Sequence, residues 1–118
     1  MIEEKDLAEL CATILTGVTV GTGSLILLFA SGAHVLVQCT FQCIERGNVR
    51  HGHGEQAIDS TLLFEYLNQT VKGAELDNES VLTLNFEDGK QLKIIPERNG
   101  LESYVVTTRF GICPVIAT

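Results

Sequence analysis

Leu25-Ile26-Leu27-Leu28-Phe29-Ala30-Ser31-Gly32-Ala33-His34-Val35-Leu36-Val37 and Leu82-Thr83-Leu84-Asn85-Phe86-Glu87-Asp88-Gly89-Lys90-Gln91-Leu92-Lys93-Ile94 are the two stretches on which the fold turns. Leu25, Leu27, Phe29, Gly32, Val35 and Val37 return 57 residues later as Leu82, Leu84, Phe86, Gly89, Leu92 and Ile94. Each set alternates apolar and other residues, breaks at a glycine, and alternates again. Side chains on a strand point to opposite faces with a period of two, so each set predicts a β-hairpin with one apolar face. Ser31-Gly32 and Asp88-Gly89 fall at the turns, where glycine supplies a positive φ.

The match runs upstream with a one-residue slip. Leu7, Glu9, Leu10 and Gly17 correspond to Leu63, Glu65, Tyr66 and Gly73. Leu7, Leu10, Cys11 and Ile14 follow helical spacing, and Glu3, Glu4 and Asp6 suit a first turn, where the helix dipole favours negative charge. The second helix is expected to start near Asp59-Ser60, with Leu62, Leu63, Tyr66 and Leu67 as its apolar stripe. Strands are predicted at about 14–20, 70–76 and 102–108. A short strand at 112–116 follows, confined to an edge by Pro114. The fold class is therefore α+β, two diverged helix-plus-antiparallel-β repeats in one domain spanning 1–118. Repeat one covers about 1–47, a linker about 48–58 with its Gly-, His- and Arg-rich part from Gly47 to Gly54, and repeat two about 59–118. Roughly 56 residues with one hairpin make a marginal core, so the halves are expected to share one.

The copies differ on their outward positions. The second hairpin presents Thr83, Asn85, Glu87, Gln91 and Lys93, a solvated face. The first presents Ile26, Leu28, Ala30, His34, Leu36 and Gln38. A strand apolar on both faces is covered on both. The expected cover is a helix of the same chain, with a partner or a second subunit as the alternative.

Cys39, Cys43, His51 and His53 raise the question of zinc. Val35, Val37, Cys39, Phe41 and Cys43 share parity, which reads as one strand with a core stripe in which Cys acts as a small hydrophobe. Residues four apart on a strand lie about 13 Å apart, too far for one ion or a disulfide. No metal site, disulfide or cofactor is expected. Cys11 and Cys113 read as structural thiols. Gly17, Gly21 and Gly23 lack the Lys-Ser/Thr of a phosphate loop and read as turn glycines. Glu65, Glu97 and Glu102 have no spacing that singles out a carboxylate pair. No catalytic set emerges, and an enzyme is not expected.

Of 118 residues, 45% are hydrophobic and 19% charged, and the net charge is −7. That balance argues against phosphate-backbone binding and against anionic membranes, and it suits a basic protein partner. The acidic start is unlike a secretory signal, no apolar run reaches the length of a transmembrane helix, and a cytoplasmic location is expected. Acids gather at turns, where loop tips reach a partner without disturbing the core: Glu75, Asp77 and Glu79 at one, Glu87 and Asp88 at another.

The stretch from Leu67 to Ala74, the hairpin from Leu82 to Ile94 with its L-x-L-x-F-x-D-G-x-x-L pattern, and Leu101-Glu102-Ser103-Tyr104 together resemble small bacterial domains found among the immunity proteins of contact-dependent growth inhibition and other polymorphic toxin systems. The resemblance covers about residues 67–106. It implies a cytoplasmic, non-enzymatic protein that binds and blocks a toxin domain, often a nuclease; the five acids above are the expected contacts. Two other readings stand beside it. One is a structural or regulatory homodimer joined through Ile26, Leu28 and Leu36. The other is a metal protein or enzyme using Cys39, Cys43 and the histidines.

Overall fold

The computed structural model describes all residues from Met1 to Thr118. The chain forms helix α1 (Glu4–Glu9), then strands β1 (Leu15–Gly21), β2 (Ser24–Phe29), β3 (His34–Val37), β4 (Thr40–Glu45) and β5 (Asn48–His53). A 3-10 helix (Ala57–Tyr66) follows, and then β6 (Val71–Leu76), β7 (Leu82–Phe86), β8 (Gln91–Ile95), β9 (Glu102–Thr108) and β10 (Gly111–Ile116). Two antiparallel five-stranded sheets result, ordered β1-β2-β3-β9-β10 and β5-β4-β8-β7-β6. One cluster of 23 buried side chains lies between them, so both sheets share a single core. No helix is long and apolar enough to cross a membrane.

Both hairpins are present, β2–β3 and β7–β8. Their registers coincide: Leu25 pairs with Val37 and Leu82 with Ile94, Leu27 with Val35 and Leu84 with Leu92. The β1–β2 and β6–β7 pairs each carry a bulge at matching places, between Leu15 and Gly17 and between Val71 and Gly73. Each half then sends its last two strands to the other's sheet. β3 pairs with β9, and β8 pairs with β4. Here the spacing of matching positions changes from 57 to 63: Phe41, which pairs with Ile94, corresponds to Tyr104, which pairs with Val37.

The halves meet at residues that match one another. Ile14 and Thr70, 56 apart, form an antiparallel bridge. Ala12 N–H donates to Val71 O and Asn68 N–H to Leu15 O, both at 2.8 Å. Ala12 and Asn68 share a left-handed backbone, φ 58° and 65°. That conformation is uncommon outside glycine and is held here by the paired hydrogen bonds.

Several expectations need correction. The stripe Val35, Val37, Cys39, Phe41, Cys43 is buried throughout, but it is not one strand. The chain changes sheets at Gln38-Cys39, a corner at which the inward alternation continues unbroken. The segment from Gly47 to Gly54 is not a linker. It forms strand β5, paired along its length with β4. Its glycines serve close approach: a Cβ on Gly52 would collide with the Phe41 ring, and one on Gly54 with the Val37 carbonyl.

The first helix stops at Glu9, short of Cys11 and Ile14, because the chain turns at Ala12 to enter the sheet. The second is a 3-10 helix that buries Ser60, Leu63 and Tyr66, spaced by three as its geometry requires. Asp59 does not cap it; its carboxylate accepts the His53 backbone N–H at 2.9 Å. Neither helix covers the outer face of the first hairpin, where Leu28 stays 38% exposed. α1 packs against β6 and β9, and the 3-10 helix against β1, β2 and β5. Leu10, Leu63 and Tyr66 therefore add to the interior, and the outer face of β1-β2-β3-β9-β10 stays open.

Candidate functional site: an acidic cleft and an uncharged face

The six residues by which the second crossing exceeds the first build a cleft. Three residues separate Val37 from Phe41, and nine separate their counterparts Ile94 and Tyr104. The longer crossing, with Pro96 to Leu101 between β8 and β9, bounds a cleft of about 500 Å³ lined by Gln38, Glu55, Glu97, Asn99, Leu101, Glu102 and Ser103. Asn99 holds its turn, accepting the Leu101 N–H at 2.9 Å. Ser103 is buried and its hydroxyl accepts the Glu97 N–H at 3.0 Å, which fixes the carboxylate-bearing residue against β9.

His53, at the end of β5, joins this edge. Its Nδ1 accepts the Glu55 N–H at 3.1 Å, so in the neutral ring Nε2 carries the proton, which it donates to Glu97 Oε1 at 2.9 Å. Ser103 Oγ bonds the backbone of Glu97, not His53, so this hydroxyl is not paired with a base as nucleophilic catalysis requires.

Two of the five expected contact acids, Asp77 and Glu79, lie at the same end. Asp77 shapes the β6–β7 turn, its Oδ1 accepting the N–H groups of Glu79 and Val81 at 2.8 and 2.9 Å. Arg98 of the crossing reaches Glu79 at 3.3 Å, and Tyr104 O–H donates to Ser80 O at 2.7 Å, which ties turn to cleft. Glu75 accepts from Asn85 at 3.0 Å. Asp77, Glu79, Glu55, Glu97 and Glu102 thus place their carboxylates at one end, with Arg98 offsetting one, while Glu75 lies on the outer face of its sheet.

Glu87 and Asp88 lie at the opposite end of β7, on the β7–β8 turn. Burial opposes ionisation of Asp88, but the Lys90 ammonium at 2.6 Å and the Lys90 N–H hold its carboxyl below its ordinary value. The five expected acids therefore fall in three places, Asp77 and Glu79 at one end, Glu75 on the sheet face and Glu87 with Asp88 at the other end, not in one patch.

The thiols and histidines are separated as well. Gln42 pairs with His51 and Thr40 with His53, so both histidines point outward from a sheet whose Cys43 and Phe41 point inward. Burial pushes the Cys39 thiol up to about 12 and raises that of Cys43, so neither is a thiolate near neutral pH. Those four residues share no metal geometry.

A second candidate surface is the outer face of β1-β2-β3-β9-β10. Directly paired residues share a face, so register defines it. One row runs Thr19, Ile26, Leu36, Val105, Pro114; the next runs Gly17, Leu28, His34, Thr107, Ile112. None of these is an acid, a lysine or an arginine. Matching positions on the other sheet are Glu75, Thr83, Lys93, Gln42 and His51, then Gly73, Asn85, Gln91, Ile44 and Val49. Two faces of matching geometry thus differ in chemistry. Sequence reasoning found Ile26, Leu28 and Leu36; Val105, Ile112 and Pro114 join them only through the β3–β9 pairing. Compared with models of protein families, with curated proteins and with solved structures, the chain matches none.

Proposed function

We propose that this chain is a non-enzymatic binding protein of the immunity type, which takes up a basic surface of a cognate toxin domain on its acidic end, in the cytoplasm. The observation that carries the reading is the cleft built by the six-residue excess of the second crossing. Its rim gathers Glu55, Glu97 and Glu102, and Glu79 joins it through Arg98. A concave carboxylate-lined edge suits an inserted Lys or Arg side chain, and exposed charge around it speeds encounter with a cationic partner. Asp77 and Glu79 belong to that surface, and Glu75 lies on the adjoining sheet face. Glu87 and Asp88, at the far end of β7, contribute only long-range attraction.

The architectural side of the proposal is that two diverged helix-plus-antiparallel-β units make up the domain, each lending its last two strands to the other. The coincident hairpin registers, the matched bulges and the Ile14–Thr70 bridge support it. Units whose crossings differ by six residues give a simple account of why only one end bears this cleft.

Co-expression tests the functional reading. The C-terminal domain of a secreted protein encoded beside this chain is induced with and without it. Rescue of growth and a 1:1 complex on size-exclusion chromatography are expected. The pair Glu97→Lys and Glu102→Lys should lower the association rate by about tenfold or more, and added salt should slow the wild type, because both act on steering. A complex whose association is indifferent to salt and to both reversals removes the acidic end from the interface; absence of rescue and of any complex overturns the immunity reading.

A further inference from the structure

We infer that the outer face of β1-β2-β3-β9-β10 is a homodimer interface, occupied by the same face of a second copy of this chain. This inference is independent of the toxin reading. The face presents Ile26, Leu28, Leu36, Val105, Ile112 and Pro114 around the central strand β3. Ile112 is 72% exposed and Leu28 38% exposed. Both halves of the molecule hold sheets of the same pairing scheme, yet the two central rows of this face lack Asp, Glu, Lys and Arg, while their counterparts carry Glu75 and Lys93.

Charge selects the occupant. Each chain carries −7, so two copies repel at most orientations. A charge-free face is where copies of one acidic chain meet with least repulsion, and a cationic partner would gain nothing from it electrostatically. Shape agrees. Identical sheets carry identical twist, so they stack face to face at the small angle usual for aligned sheets. Area agrees as well. Five strands at about 4.8 Å spacing and about 17 Å of length give roughly 400 Å² of flat footprint per copy. The two copies together bury roughly 800 Å² of flat footprint before side-chain relief, which suits a weak, concentration-dependent dimer at the low end of specific interfaces. A two-fold axis along β3 sets Leu36 against its own counterpart and exchanges β2 with β9, so that Leu28 meets Thr107 of the other copy and the reverse, as an isologous contact demands. The acidic cleft lies at the end of the sandwich and stays open in such a dimer.

Sedimentation velocity of the purified chain at about 5–200 µM tests the inference. A concentration-dependent shift from 12.8 kDa toward twice that mass is expected. Leu36→Lys and, separately, Val105→Lys should raise the dissociation constant at least about 100-fold, since each buries an unpaired charge at the contact. Circular dichroism, and a urea midpoint equal to that of the wild type at a dilution where both are monomeric, confirm that the variants fold. Thr83→Lys and Asn85→Lys, on the other sheet, should leave the dimer intact. A wild type that stays monomeric at about 200 µM overturns the inference, as does a dimer that persists in both β3–β9 variants or breaks equally with the sheet-two variants. A monomer that floats with phosphatidylcholine vesicles through this face overturns it too, and would assign the surface to lipid.

Discussion

At the scale of single residues, the glycines and cysteines of the middle of the chain decide most. Gly54 stands where β5 ends against the corner at Val37 and Gln38. A methyl there meets backbone carbonyl, which cannot swing aside as a side chain can. Gly54→Ala is expected to cost about 3 kcal/mol, whereas Gly73→Ala, with nothing within 4 Å of its Cβ, should fall within about 0.5 kcal/mol of wild type. Urea midpoints of the two variants check this. Equal effects would mean that β5 does not approach the corner as described. A glycine in a sequence announces either freedom or lack of room, and the letters do not say which; Gly47 to Gly54 read as a flexible joiner because the neighbouring backbone is invisible in one dimension. The thiols were more legible, since parity alone placed Cys39 and Cys43 inward. Both are buried with raised thiol values, while Cys11 is partly exposed. In native protein a thiol reagent should modify Cys11 first, with Cys39 and Cys43 protected until urea opens the fold. Rapid native labelling of Cys39 or Cys43, read by peptide mapping, would contradict their packing.

At the scale of elements, α1 shows how a six-residue helix is held. Such a length is marginal in isolation, so its anchor is tertiary. Asp6 is 2% exposed; its carboxylate accepts the Thr108 hydroxyl at 2.6 Å and the Glu3 N–H at 2.9 Å, and these bonds hold its carboxyl below the usual range. A group whose folded value is depressed adds stability above its unfolded value, near ~3.9, and loses it as pH falls through the folded one. The wild-type urea midpoint should therefore fall as pH drops below about 4, and Asp6→Asn, less stable at neutral pH, should fall less steeply. Parallel pH curves for the two would remove Asp6 from the anchor. The strands were legible wherever apolar residues alternate, hence both hairpins and the strand at 102–108. The helices were less so. Leu62, Leu63, Tyr66 and Leu67 fit a period of 3.6, whereas the residues actually buried, Ser60, Leu63 and Tyr66, follow a period of three that only packing against β1, β2 and β5 selects. The corner at Gln38-Cys39 left no mark, because alternation continues across it.

At the scale of the molecule, sequence alone places acids at turns but not turns at ends. Asp77 and Asp88 look like near neighbours along the chain, yet the length of β7 sets them at opposite ends. The cleft does leave a trace in the letters. The spacing of matching apolar positions moves from 57 at Val37 and Ile94 to 63 at Phe41 and Tyr104, which marks six extra residues where the surface departs from its counterpart. The open face was half legible, since its Val105, Ile112 and Pro114 come from β9 and β10, strands that reach β3 only in three dimensions.

The exchange of final strands has a consequence for how the chain folds. β3 waits for β9, from His34 to Thr107, and β4 waits for β8, so neither sheet closes until most of the chain has been made. Pairings so distant in sequence carry a loop-closure entropy that must be met before contacts reward it, and folding should be slow for a domain of this size. The fragments 1–55 and 56–118 should each be unfolded alone and recover native circular dichroism as a 1:1 mixture, the cut falling between β5 and the 3-10 helix. Cooperative melting of either fragment by itself would show that its own strands suffice. The same dependence lets one chain's β9 and β10 complete another chain's sheet at high concentration, so refolding from concentrated denatured stock should yield interlocked oligomers that dilution separates only at the pace of global unfolding.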